Sequence, residues 1–108
     1  MIIVNTEEIV GYEIEEMLGV VRGNIVQAKH IGKDITAAFR TLFGGEIKEY
    51  SEMLTDARKR AMHLMVEEAK EIEADGIVNI RFVTSQIMQG ASELLVYGTA
   101  VKLKQTKV

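Results

Sequence analysis

The sequence predicts an α+β domain: a small antiparallel sheet carrying one long and one short helix on one face. Three observations lead there. Val- and Ile-rich, glycine-punctuated segments stand at both ends of the chain, an uninterrupted amphipathic stripe lies between them, and the strand segments are apolar on both faces. A single helical layer covers only one face of a small sheet. In a chain of 108 residues the other face calls for an identical subunit, so oligomerisation through the sheet is expected along with the fold.

Met1 to Asn5 reads as a short apolar strand, followed by the turn chemistry of Thr6, Glu7 and Glu8 before Gly11. Tyr12 to Lys29 is rich in Val and Ile and reads as a long strand. Its Gly19 and Gly23 lie four apart, hence on one face, where a missing side chain permits a bend or the close approach of another backbone. Met17, Gly19, Val21, Gly23 and Ile25 form that face; Leu18, Val20 and Val26, with Arg22 and Asn24 among them, form the other. Ile31 to Phe43 carries apolar residues at helical spacing, with Gly44 and Gly45 as its stop. Tyr50 to Glu73 is the clearest element. Leu54, Ala57, Ala61, Met65, Ala69 and Ile72 make one stripe without internal Pro or Gly, Ser51 is the candidate N-cap, and Asp75-Gly76 the stop signal. Ile77 to Met88 and Glu93 to Lys104 then read as two strands joined through Gln89 to Ser92 into an antiparallel hairpin.

Length and composition bound the chemistry. Residues 1–108 fit one domain, since either half would be too small to bury a stable core alone. Hydrophobic residues at 47% and charged residues at 27% are the balance of a soluble globular chain. Thirteen basic against sixteen acidic residues give a net charge of -3, which speaks against a phosphate backbone or an anionic membrane as partner. The absence of cysteine excludes disulfides, thiolate nucleophiles and Cys-ligated metal sites. No basic start with an apolar stretch marks a secretory signal, and no run approaches the ~18 apolar residues of a membrane span, so a cytoplasmic protein is expected.

The segments Leu18-Gly19-Val20-Val21-Arg22-Gly23, Gly44-Gly45-Glu46-Ile47-Lys48-Glu49-Tyr50, Ala57-Arg58 with Ala61 and Met62, Ile80-Arg81-Phe82, and Tyr97-Gly98-Thr99-Ala100-Val101 resemble the YbjQ family. The resemblance runs across nearly the whole chain. That family is of unknown function and is labelled as heavy-metal-binding. The resemblance implies a dodecin-like subunit in a closed ring, a homopentamer, with helices outside and strands contributing to intersubunit sheets. Two positions depart from the family pattern: Glu73 and Asn79 stand where glycine is usual.

The metal label directs attention to four residues. His63 and Glu67, four apart on the long helix, share a face on which imidazole and carboxylate can meet one divalent ion, and His30 with Asp34 offers a second such pair. Neither pair completes a tight site unless ring symmetry gathers copies, and the competing reading of each is a solvated surface pair. A divalent metal ion is the one cofactor these residues suggest. Arg22 and Arg81 are charges inside apolar strands and call for partners: an anion in a ring interior, or an intersubunit acid such as Glu15, Glu16 or Glu93. Gly19, Val21, Arg22, Gly23 and Arg81 are therefore expected at the subunit interface. No nucleophile elbow, triad order or P-loop is present, so the sequence points away from an enzyme and toward a homo-oligomeric binding or scaffold protein, with metal or small-anion binding as the alternative.

Overall fold

The computed structural model describes residues 1–28 and 47–106. Among them the chain forms β1 (Ile2–Ile3), β2 (Tyr12–Ala28), α1 (Ile47–Glu71), β3 (Gly76–Met88) and β4 (Ala91–Gln105). The expected short helix at Ile31 to Phe43, with its Gly44-Gly45 stop, lies outside the described residues. The four strands make one sheet in the order β1-β3-β4-β2. β4 pairs antiparallel with both β2 and β3, as expected, whereas β1 runs parallel to β3 with Ile2 opposite Gly76 and Ile3 opposite Ile77. The sheet is thus mixed, a correction to the all-antiparallel expectation. Its physical cause is a row of backbone bonds along the edge of β3: Ile2 N–H to Asp75 C=O (3.2 Å), Val4 N–H to Ile77 C=O (3.0 Å) and Asn79 N–H to Thr6 C=O (3.0 Å). Hydrophobic alternation in a five-residue segment says nothing about its direction.

Directly opposite residues of an antiparallel pair share a face. Val21 opposite Gly98, Gly23 opposite Val96 and Ile25 opposite Leu94 therefore define one face of β2 and β4, and this is the face α1 covers. The helix brings Ala61, Met65 and Ala69 onto Val21, Ile77, Ile80, Val96 and Ala100, all of them buried. Burying each larger side chain of this set contributes about 1.5–3 kcal/mol. Small Ala residues in the stripe let the helix axis come close, and Gly23 lets it come closer. A Cβ at Gly23 would stand 2.0 Å from the Ala61 carbonyl oxygen and 2.7 Å from the Met65 nitrogen. Gly19 serves a different end. With φ +120 it sits at the register shift between Met17 and Gly19, a β-bulge that bends the strand. One glycine of the expected pair thus supplies the bend, and the other the close approach.

A smaller cluster lies on the opposite face, where Ile9, Val78 and Val101 are buried with Ile2, Val4 and Leu103 around them. The N-terminal segment covers that face only near the base of the sheet.

Helix α1 already includes Ile47, so Ser51 lies inside the helix rather than at its N-cap position. At the other end Glu73 adopts φ 60, Ala74 N–H reaches back to Ala69 C=O and Glu73 N–H to Lys70 C=O, each at 3.0 Å. This is a Schellman closure, in which the residue after the cap takes the left-handed conformation that glycine adopts without penalty. Asn79 likewise has φ 54, at the bulge where two residues of β3 oppose Gly98 of β4. Glu73 and Asn79 are the two non-glycine residues with positive φ among those described, and they are the two positions at which glycine is expected from the sequence. Asn tolerates this region better than Glu. Glu73→Gly is therefore expected to stabilise the fold by about 0.5–1 kcal/mol, relief of backbone strain offset in part by glycine's larger unfolded-state entropy. The check is a urea midpoint, which should rise; an unchanged or lower one removes the strain argument.

Candidate functional site

The second face of the sheet is where the strands leave their apolar side chains uncovered. The register puts Val20 opposite Thr99, Arg22 opposite Tyr97, Asn24 opposite Leu95 and Val26 opposite Glu93, and adds Arg81 opposite Tyr97 and Val83 opposite Leu95 from β3. Val20 and Val26 are 58% and 57% exposed, and Val83, Tyr97 and Met17 are exposed as well. Farther out, Ile87 and Met88 at the end of β3 are also exposed. Beyond Ile80 every residue of β3 is exposed, and α1 packs chiefly on β2 and β4.

The described chain is drawn out to match. Its principal extents are 57 × 25 × 17 Å and its radius of gyration is 17.8 Å, against about 13 Å for a compact chain of 100 residues. An elongated sheet with exposed valines on adjacent strands shows apolar surface that a compact monomer would bury.

The expected interface residues separate on this frame. Val21 (1% exposed) and Gly23 lie beneath α1 of their own chain, so their burial is accounted for without a second subunit. Gly19, Arg22 and Arg81 are exposed. The Arg81 guanidinium donates through Nη1 to the carbonyls of Asn5 (2.9 Å) and Ile80 (3.0 Å). The ion pairs among the described residues are Arg60–Asp56 (3.9 Å) and Lys70–Glu67 (3.5 Å), so neither strand guanidinium has a carboxylate partner there, although the Arg22 backbone N–H donates to Glu68 Oε2 (3.3 Å). Sequence reasoning missed Tyr97 as the residue between the two arginines, because only the register of both ladders brings them into one row.

The candidate metal ligands fare differently. His63 and Glu67 do stand one helical turn apart and both are exposed, yet Glu67 Oε1 is engaged by Lys70 Nζ. His63 lines a depression of about 340 Å³ together with Lys59, Arg60, Ile25 and Leu64. Two permanent cations in the same hollow oppose a third positive charge there. His30 and Asp34 lie outside the described residues. Among the described residues no three His, Asp or Glu side chains gather closely enough to hold an ion. No helix among them is long and apolar enough to cross a membrane.

Against known proteins, the family described as "Putative heavy-metal-binding", YbjQ, matches residues 1–104. The chain is 61% identical over 106 residues to a UPF0145 protein of Thermosipho africanus, covering 98% of each. It is 60% identical over 103 residues to one of Photobacterium profundum, covering 95% of this chain and all of that one. One of Archaeoglobus fulgidus is 57% identical over 104 residues, with 96% of each covered. In fold it is similar to a crystal structure of a protein of unknown function, of the DUF74 family, from Pediococcus pentosaceus. The TM-score is 0.65 at 18% identity, covering 96% of this chain and 98% of that one.

Proposed function

The chain belongs to the YbjQ family, and from that premise we propose that it is a homo-oligomeric binding or scaffold protein whose sheet arm is completed by further copies of itself. The carrying observation is the uncovered second face, with Val20, Val26, Val83 and Tyr97 exposed across three adjacent strands. Burying such a face against an identical surface recovers the apolar contact that one helix cannot supply. The strand edges support the same reading. Among the described residues β2 pairs only with β4, and β3 beyond Ile80 pairs only with β4, so the sheet ends in two unlike edges. Unlike edges suit head-to-tail association, which closes into a ring when the rotation allows. The pentameric, dodecin-like ring and cytoplasmic setting implied by the family resemblance are part of this proposal.

A second reading, ion binding, takes its support from the depression around His63. Lys59 and Arg60 favour a small anion there over a divalent metal. Native mass spectrometry of the freshly purified protein, before and after chelator, tests both readings. The expected spectrum is a pentamer whose mass equals five bare chains. A metal-sized increment lost on chelation would put metal binding first, and a monomer would sink the assembly.

A further inference from the structure

The outer edge of β2 carries a contact that the packing of the sheet face does not require. Helix α1 lies close above this strand, with Gly23 beneath the backbone of Ala61 and Met65. One turn on from Met65, the half-buried Glu68 accepts a hydrogen bond at Oε2 from the Arg22 backbone N–H (3.3 Å). Arg60, Leu64 and Glu68 recur at four-residue spacing and so share one flank of the helix. Arg60 and Leu64 border the hollow at Ile25, and Glu68 reaches the strand at Arg22, so this flank follows β2 along its length.

Peptide groups of alternate residues in an antiparallel strand point to opposite sides. The Arg22 N–H, donated to a helix side chain, is on the side away from β4. β2 stands at the end of the strand order, so this is the side on which a further strand would add. Such a strand would bring a backbone carbonyl to the Arg22 N–H. The Glu68 carboxylate oxygen already occupies that carbonyl's place, and its charge opposes the approach of a row of carbonyl oxygens.

We infer that Glu68 holds the outer edge of β2 closed to strand addition at Arg22, and that the strand it holds off belongs to a second copy of this chain. Each copy brings a suitable edge, since β3 beyond Ile80 pairs only with β4 among the described residues. The inference goes beyond the assembly proposed above, because the contact exists within one chain and sets how readily that chain's β2 edge is used. An adding strand must first displace the carboxylate. Exposed sheet edges are commonly protected by a charge of this kind; here the charge comes from the covering helix, and the glycine beneath that helix brings it within reach.

The test is a set of three substitutions in the full chain, with association followed by light scattering over a dilution series. Glu68→Ala removes both reach and charge. Glu68→Asp keeps the charge but falls one methylene short of the amide, and Glu68→Gln keeps the reach and an acceptor oxygen without the charge. Glu68→Ala and Glu68→Asp are expected to associate at about tenfold lower concentration than wild type, the worth of one hydrogen bond to a charged group. Glu68→Gln is expected to stay within about threefold of wild type. Glu68→Gln associating as readily as Glu68→Ala overturns the role of the bond, and no shift in any variant overturns the block while leaving an assembly through the sheet face standing. A monomeric wild type sinks that assembly instead, and the block then shows as association confined to Glu68→Ala and Glu68→Asp. Should Glu68→Ala lose its circular dichroism, the other two decide: Glu68→Asp associating more readily than Glu68→Gln supports the block, and equality or the reverse overturns it.

Discussion

Gly23→Ala is expected to destabilise the native state severely, although it adds one methyl group. The new Cβ would lie 2.0 Å from the Ala61 carbonyl oxygen, 2.7 Å from the Met65 nitrogen and 3.0 Å from the Ala61 carbonyl carbon. All three are backbone atoms, so no rotamer change relieves the clash. The helix must lift from β2 or the strand must twist away. Either movement opens the contact between Val21, Val96, Ala61 and Met65 that forms the centre of the core. Overpacking a core ordinarily costs about 1–3 kcal/mol, and a clash of backbone against backbone stands at or beyond the top of that range. Against the 5–15 kcal/mol, roughly, that holds a small domain together, this is a large fraction. The measurement is the urea midpoint by circular dichroism, with soluble yield beside it. A Gly23→Ala protein that unfolds at the wild-type midpoint would show that helix and strand do not approach as described.

Val20→Glu combined with Val26→Glu is expected to do the opposite, leaving the subunit folded and dispersing the assembly. Both side chains are more than half exposed on the second face, so a carboxylate there meets water in the isolated chain. In an assembly that covers this face, each new charge must be desolvated without a partner, and the apolar area of the valine is lost as well. A combined penalty of about 3 kcal/mol weakens association more than a hundredfold. The expected result is a monomer at micromolar concentration by light scattering, with an unchanged circular dichroism spectrum. A retained subunit count would place the interface elsewhere. Val21→Glu makes the contrast, since Val21 is buried under α1 and its charge would strike the fold of the subunit itself.

Much of this architecture can be read from residue pattern because its largest elements are periodic and long. The Ala57, Ala61, Met65, Ala69 stripe names the buried face of α1, and all four residues are at 0% exposure. The ends of the stripe read less well. Leu54 and Ile72 follow the same spacing and stay 42% exposed. In β4 the alternation divides Leu94, Val96, Gly98 and Ala100 from Leu95, Tyr97, Thr99, Val101 and Leu103, and the two clusters fall on those two faces. What pattern does not carry is register. The parallel direction of β1 and the row of Arg22, Tyr97 and Arg81 depend on which residue stands opposite which across two ladders. Bulges at Glu15, Leu18 and Asn79–Ile80 shift that correspondence by one residue each time. The candidate site suffers most from this. Val21 and Gly23 were legible as residues in close contact, and whether their cover is the chain's own helix or another subunit was not. His63, Glu67, Lys59 and Arg60 are legible as helical neighbours from their spacing, whereas the approach of Ile25 from β2 to the same hollow is not.

The order of the strands also bears on how the chain reaches this state. β3 and β4 are joined by the two residues Gln89 and Gly90, and α1 is local by nature. These are the pieces that form quickly, a hairpin in about 1–10 μs and a helix in less. Every other pairing is distant, with Ile2 against Gly76 and Tyr12 against Gln105. Long loops must close before those contacts give any return, so the outer strands join last. Until they do, β4 presents an unpaired edge and the hairpin shows both apolar faces to whatever is near. Dilution during refolding then separates two fates of the same surface: joining its own β2, or joining a neighbour that has not yet found its own.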